Sequence, residues 1–146
     1  MCRAYKKVLI TACGSKKENK RIEAWKLYKS SRIRHLYKKS KALNIPFYIL
    51  SAKYGLVYGD EIIEPYNEIM DEDICERLEK QISQVLDEFD VIIYYKGGAR
   101  KEYYNCLERI SKKLNKKFIS FGYGNMGDIG KLEEITNGLS TTFAVF

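Results

Sequence analysis

The sequence predicts a single α/β domain over residues 1–146: an open, mostly parallel four-stranded sheet with helices on both faces. Three observations carry that prediction. Short apolar runs alternate with amphipathic stretches along the chain, a βα alternation that builds a parallel sheet covered on both sides. The runs VLI, FYIL and VIIYY are apolar at consecutive positions, as strands buried on both faces are. The chain has 146 residues and an apolar fraction of 45%, which suits one ordinary core. The expected strand order is 2-1-3-4, with the topological switch between the first and third strands.

Residues 6–12 read as the first buried strand, and residues 13–17 (CGSKK) as a tight loop. Residues 23–43 read as helix, with a break at Ser30-Ser31 where Ser30 caps a second segment. Asn44-Ile45-Pro46 ends it. Residues 47–51 form the second strand and lead into the loop SAKYGLVYGDE. From Asp71 onward, Ile74, Leu78, Ile82 and Val85 recur at helical spacing along one face. Asp71 and Asp73 place negative charge at the positive end of that helix. Residues 91–95 form the third strand. After Lys96-Gly97-Gly98-Ala99 comes a helix with Tyr103, Cys106 or Leu107, Ile110 and Leu114 facing inward. Residues 117–121 form the fourth strand. The glycine-rich GYGNMGDIG, a last short helix through Leu132 and Ile135, and an apolar tail (139–146) able to dock as an extra strand complete the chain.

No apolar run approaches the roughly 18–20 residues that span a bilayer. The apolar part of MCRAYKKVLITAC is too short for a secretory signal and reads as a strand. A cytoplasmic protein away from membranes is expected. Cys2, Cys13, Cys75 and Cys106 are widely spaced, with no CxxC and a single histidine, His35. That pattern offers neither a zinc site nor a disulfide framework. Cys75 and Cys106 fall at helical core positions and are expected to be inert. Cys13 stands apart because it ends a strand at a loop.

The formal charge is +7. Residues 16–41 are dense in lysine and arginine and opposed only by Glu18 and Glu23, whereas residues 60–90 are acidic. Such asymmetry suits a phosphate-bearing partner, DNA, RNA or a nucleotide; a solvated lysine-rich helix face explains it equally well.

Ligands in open parallel sheets bind beyond the carboxyl ends of the strands, near the switch. The loops expected there are CGSKK, SAKYGLVYGDE, YKGGARKEY and GYGNMGD. All hold small residues, and the first three add lysines. Gly14-Ser15-Lys16-Lys17 offers backbone N–H groups, a hydroxyl and cations to a phosphate, without the Walker A spacing. Gly97-Gly98 before Arg100 and Lys101 repeats the idea at a helix start. Cys13 is a candidate nucleophile beside Lys16 and Lys17, weighed against a small buried hydrophobe. His35, among basic residues, suits phosphate contact or solvation. Asp60, Glu61 and Glu102 are the candidate acid/base groups, or else ion pairs that hold the loops. Tyr54, Tyr66, Tyr94, Tyr95, Tyr103 and Tyr123 supply aromatic faces; among lysines these suit base stacking.

The block Leu50-Ser51-x-x-Tyr54-Gly55, an acidic residue at Glu61, then Pro65-Tyr66 and Met70 resembles, without a gap, the YaaA-like proteins and the short uncharacterised family allied to them. Weaker echoes follow in order. They are a first strand ending near Lys16, then Val91-Ile92-Ile93 with Glu102-Tyr103, and Phe118-Ile119-Ser120-Phe121 before the glycine-rich tail. The resemblance implies DNA binding through a positive cleft, with a peroxide-stress role in the longer YaaA-like proteins. Lys53 stands here where that block carries an apolar residue. Cys13-x-x-Lys16 and Tyr28-x-Ser30, with His35 beyond, are similar to the catalytic motif of archaeosine synthase, which acts on a modified tRNA base. The Lys-Pro-Tyr run of that motif is absent here. Small parallel domains of this shape are also similar to uracil-DNA-glycosylase-like folds.

The expectation is therefore a nucleic-acid-associated enzyme acting on a nucleobase or an N-glycosidic bond, without a cofactor or metal. Ser15, Lys16, Lys17, Ser51, Lys53 and Arg100 would hold phosphate or nucleic acid. Tyr54 or Tyr66 would stack on the base. Glu61 or Glu102 would move the proton, with Cys13 a lesser candidate nucleophile. Two alternatives stand beside it: a non-catalytic DNA- or RNA-binding stress or defence module, and a hydrolase or transferase of free nucleotides.

Overall fold

A computed structural model of the chain describes residues 6–122 and Leu132. Its centre is β1 (Lys7–Ala12), in which only Lys7 is not fully buried. Parallel to it on one side runs β3 (Phe47–Ser51), in register Leu9 to Phe47 through Ala12 to Leu50. On the other side runs β6 (Val91–Tyr95), followed by β7 (Lys117–Phe121). Outside β3 lies an antiparallel strand, β4 (Gly55–Tyr58), so the sheet order is β4-β3-β1-β6-β7. The expected four-stranded sheet is thus corrected to five strands. Residues 52–58 read as loop because small and polar residues surround a short apolar pair, but Leu56 and Val57 are buried and pair with Leu50 and Ile49.

The turn into β4 is built by local chemistry. Ser51 Oγ accepts hydrogen bonds from the N–H groups of Lys53 and Tyr54, a serine turn that reverses the chain. Gly55 follows at φ +78°, in the left-handed region open to glycine. On the outer edge of β4, the Gln81 side chain accepts from Leu56 N–H and donates to Leu56 C=O, both at 2.8 Å. That amide occupies backbone groups that an edge strand otherwise leaves open to another chain.

Helices cover both faces. On one lie α1 (Ala24–Leu27) and α2 (Ser31–Ala42); on the other lie α3 (Glu72–Leu86) and α4 (Lys101–Lys113). The pleat of the sheet sorts the cores. Leu9, Ile49, Val91, Ile93 and Tyr95 pack with Leu27, Ile33 and Leu36. Val8, Ile10, Leu50, Ile92 and Tyr94 pack with Ile82, Leu86, Leu107 and Ile110. The caps follow the sequence. Ser30 Oγ accepts from Ile33 N at 3.2 Å, and Asp71 Oδ1 accepts from Ile74 N at 2.8 Å. The break at Ser30 is real, but Glu23, expected as the start of the helix, ends β2 (Ile22–Glu23), which pairs antiparallel with β5 (Ile62–Ile63).

Cys75 and Cys106 form a disulfide between α3 and α4, which corrects the expectation of none. Periodicity turned each sulfur inward, but only the packing of α3 beside α4 makes them neighbours. Glu79 adds ion pairs to Arg109 at 2.7 Å and Lys113 at 2.6 Å across the same helix pair. Among the described residues no helix is long and apolar enough to cross a membrane, and no cluster of three metal-ligand side chains is present. The glycine-rich stretch from Tyr123 onward, the last helix apart from Leu132, and the tail lie outside the described residues.

Candidate functional site

At the carboxyl ends of β1 and β6 the chain leaves in different directions. The gap between those exits is a cleft of about 390 Å³. Its walls come from three places: Cys13, Gly14, Ser15 and Lys17 after β1; Asn67, Glu68 and Ile69 before α3; and Gly98, Ala99, Arg100 and Tyr103 at the start of α4. Arg32 from α2 completes it. The volume falls within the usual range for a small-molecule site, roughly 300–1,000 Å³.

Cys13 lines this cleft, and it is the free cysteine among the described residues. Its Sγ lies 3.2 Å from Tyr103 Oη. Tyr103 Oη also accepts from Met70 N–H at 3.4 Å. With the thiol and the amide both donating to this oxygen, the phenol's own hydrogen is left to donate to a ligand. Tyr66 also hydrogen-bonds Cys13 and Ser51. Behind it, Tyr28 Oη and Tyr66 Oη are 2.5 Å apart. Ser51, fully buried, hydrogen-bonds both phenols as well as capping the β4 turn. Burial, reinforced by the neighbouring Cys13, pushes Tyr28, Tyr66 and Tyr103 well above the ordinary tyrosine pKa. All three therefore remain protonated donors at neutral pH.

Arg32 is the cation of this floor. Its Nη1 donates to Thr11 Oγ1 at 2.8 Å and its Nη2 to the Ala12 carbonyl at 3.2 Å, which fixes the guanidinium at the end of β1. Thr11 Oγ1 in turn donates to the Tyr95 carbonyl at 3.1 Å. Burial lowers the Arg32 pKa, opposed by Tyr94, Tyr95 and Cys13, but a guanidinium stays charged. A cation in the first turn of a helix works against the helix dipole, and α2 has no acid there to offset it.

The sequence-predicted residues divide by which end of the sheet they reach. Cys13, Ser15, Lys17 and Arg100 line the cleft. Lys17 Nζ sits 4.5 Å from the Tyr66 ring centroid and 5.8 Å from that of Tyr28. Ser51 and Tyr66 lie beneath the cleft as support. Lys16 is exposed, and its carbonyl accepts from Lys29 N at 2.9 Å. Lys53 is exposed at the β3–β4 turn, and Tyr54 packs edge-on against Tyr66 at 5.6 Å. His35 is exposed on α2.

The two favoured carboxylates are not brought to the cleft. Because β4 runs antiparallel to β3, it carries the chain back to the amino ends of the parallel strands. Gly59 N there bonds Phe47 O at 2.9 Å. Asp60 pairs with Lys41 at 2.9 Å and hydrogen-bonds Tyr37, and Glu61 is exposed beside it. Glu102 faces a different groove of about 370 Å³ between α3 and α4, walled by Asp71, Glu72 and Glu76 as well. Four carboxylates make that groove a poor host for phosphate. Of the expected loops, the first and third meet, the second contributes only its first residues as backing, and GYGNMGD lies outside the described residues.

Sequence reasoning missed Arg32 and Glu68, and reached Tyr28 only through the archaeosine synthase resemblance. Arg32 was one member of a basic run, and the signal that marks it is its place two residues after the Ser30 cap. Glu68 and Asn67 enter the cleft because the chain returns from β5 to the carboxyl ends before α3 begins.

This arrangement defines a doubly wound α/β protein with a cleft at the topological switch, lined by a thiol, a guanidinium and a protonated phenol. Residues 8–121 match the family described as a family of unknown function, DUF6884, and the chain belongs to that family. No curated protein and no solved structure matches it.

Proposed function

We propose that the Cys13 cleft takes a single nucleobase, presented on nucleic acid, and that the chain is an enzyme acting on that base or its N-glycosidic bond. The observation that carries this reading is Cys13 itself: a free thiol at the end of the central strand, in a base-sized cleft that Arg32 and Tyr103 also line. The ring edges of bases carry carbonyl and imine acceptors, which protonated phenols and a guanidinium match as donors. Lys17 and Arg100 at the rim, with Ser15, suit the adjoining phosphate. Cys13 takes the role of nucleophile, and Tyr103 donates to the base. A carboxylate for proton transfer comes from Glu68, which lines the same cleft, rather than from Glu61 or Glu102. A base reaches such a cleft unpaired, from a single strand or by extrusion. The YaaA-like resemblance, with its DNA-binding implication, points the same way.

The test is product analysis. Wild-type protein, Cys13→Ala and Glu68→Gln are incubated with single-stranded DNA, RNA and nucleoside monophosphates, and released or altered bases are sought by mass spectrometry. The reading expects turnover of an oligonucleotide that Cys13→Ala abolishes. Turnover of mononucleotides alone would instead make the protein a free-nucleotide enzyme. Binding of oligonucleotides with no product would make it a non-catalytic module. Turnover retained in Cys13→Ala would remove the nucleophile assignment.

A further inference from the structure

A second basic feature lies on the helical face that carries α1 and α2. A groove of about 400 Å³ runs along α1 and the outer side of α2, between Lys20, Trp25, Lys26, Arg34 and Lys38, with Glu18 its lone carboxylate. Arg34 approaches Glu18 at 3.9 Å and Lys26 pairs with Glu23 at 3.1 Å. Lys20 and Lys38 are exposed and have no acidic partner among the described residues. The groove therefore keeps a net positive charge after its internal pairs are formed.

Trp25 is the single tryptophan of the chain and is only half-buried. Its indole stacks parallel on Tyr37, with centroids 4.3 Å apart. Tyr37 is itself held by its hydrogen bond to Asp60, and Trp25 N donates to the Gly59 carbonyl at 3.0 Å. The result is a flat aromatic ring braced by Tyr37, with Lys26 Nζ 5.2 Å from its centroid, so a stacking base shares the ring with that ammonium or displaces it. Acidic peptides need the cations but not the braced ring; unpaired bases beside phosphates use both. A paired duplex offers no base face to that ring.

Two chain segments contribute to both sites, which share no lining residue. The segment after β1 gives Ser15 and Lys17 to the cleft, then Glu18 and Lys20 to the groove. Helix α2 gives Arg32 to the cleft, then Arg34 and Lys38 to the groove. Lys38 lies roughly 9 Å along the α2 axis from Arg32 but, at about 100° per residue, on another side of the helix, so the segment from Lys17 to Glu18 is the direct link between the two sites.

We infer that this groove is the track for single-stranded nucleic acid flanking the base held in the cleft. Lys20 and Lys38 contact phosphates, and Trp25 is the stacking platform for a neighbouring base. The inference rests on the cleft reading and deepens it by naming a single-stranded polynucleotide, rather than a free nucleotide, as the substrate class.

Because Trp25 is unique, its fluorescence reports this groove alone. Titration with a mixed-sequence single strand of about 12 nucleotides, as DNA and as RNA, is expected to quench it, and a duplex of the same sequence to quench it less. The double variant Lys20→Ala/Lys38→Ala should bind the single strand roughly tenfold more weakly near 0.1 M salt. Its slope of log affinity against log salt should fall by about 1.4, or about 0.7 per lost phosphate contact. Protection of Cys13 from alkylation by a mononucleotide should be unchanged in that variant. The inference is overturned if the strand binds without changing Trp25 emission, if the double variant keeps wild-type affinity and slope, or if no strand binds. If the strand quenches Trp25 in a lysine-dependent way while neither it nor a mononucleotide protects Cys13, the groove stands and the cleft reading falls.

Discussion

Replacing Tyr66 by phenylalanine separates the ring's packing from its hydroxyl. The ring is 7% exposed and contacts Tyr54 and Tyr28 edge-on, contacts that phenylalanine keeps. What disappears is the hydroxyl 2.5 Å from Tyr28 Oη, also bonded to Cys13 and Ser51. Tyr28 is fully buried and retains Ser51 as its other partner. A lost buried hydrogen bond contributes about 0.5–1.5 kcal/mol net, and an orphaned partner costs about 1–3 kcal/mol. Because Ser51 relieves part of that, each of Tyr66→Phe and Tyr28→Phe should cost about 1.5 kcal/mol. The double variant orphans neither phenol, so it should also cost about 1.5 kcal/mol rather than about 3, a coupling of about 1.5 kcal/mol. Urea unfolding followed by circular dichroism reads this as a midpoint drop of about 0.5–1 M for each single variant. Costs that add within about 0.3 kcal/mol would refute the hydroxyl network.

Three further outcomes follow from the same contacts. Reducing Cys75–Cys106 opens a 31-residue separation, worth about 3–4 kcal/mol in the chain-entropy account, so reductant should lower Tm by about 10 °C. A Cys75→Ala/Cys106→Ala variant should be insensitive to reductant, and an unchanged wild-type Tm would exclude the bond. Asp60 is held below the ordinary carboxylate pKa of 3.8 by its hydrogen bond from Tyr37 and then by Lys41. Its stabilisation is therefore full above that value and lost as pH falls through the lowered one. With the side chain 40% exposed, Asp60→Asn should cost only about 0.5–1 kcal/mol near pH 7, and unfolding curves should show the gap closing in acid. A gap constant down to low pH would contradict the pairing. Gly55→Ala sets a Cβ 2.0 Å from Gln81 Oε1 at positive φ, so it should cost about 2–3 kcal/mol by urea unfolding. Gln81→Ala should cost about half that, and a neutral Gly55→Ala would show that the turn relaxes freely.

The parallel strands were legible because VLI, FYIL and VIIYY are apolar at every position, a pattern that only a sheet covered on both faces requires. Ser30 and Asp71 were legible as caps because capping is local chemistry. What failed was non-local. The strand Gly55–Tyr58 is short and follows a serine turn, so its pairing with β3 is set by tertiary contact. That one antiparallel strand is also why Glu61, close in sequence to Ser51 and Tyr54, ends at the opposite edge of the sheet. Cys75 and Cys106 each read correctly as inward-facing, yet their bond depends on the contact between α3 and α4. Cys13, Ser15, Lys17 and Arg100 were legible because cleft residues at strand ends follow from topology. Arg32 and Glu68 were not, since a helix turn and a returning segment carry them in.

The proposed nucleotide-bearing ligand would cover Cys13 in its cleft. Alkylation of Cys13 by iodoacetamide, followed by peptide mass spectrometry to separate it from Cys2, tests this most directly. Binding is measured in parallel by fluorescence anisotropy. With ligand about tenfold above its Kd, the rate at Cys13 should fall about tenfold, in proportion to the unoccupied fraction. A saturating single strand or nucleotide that leaves the Cys13 rate unchanged would contradict the claim.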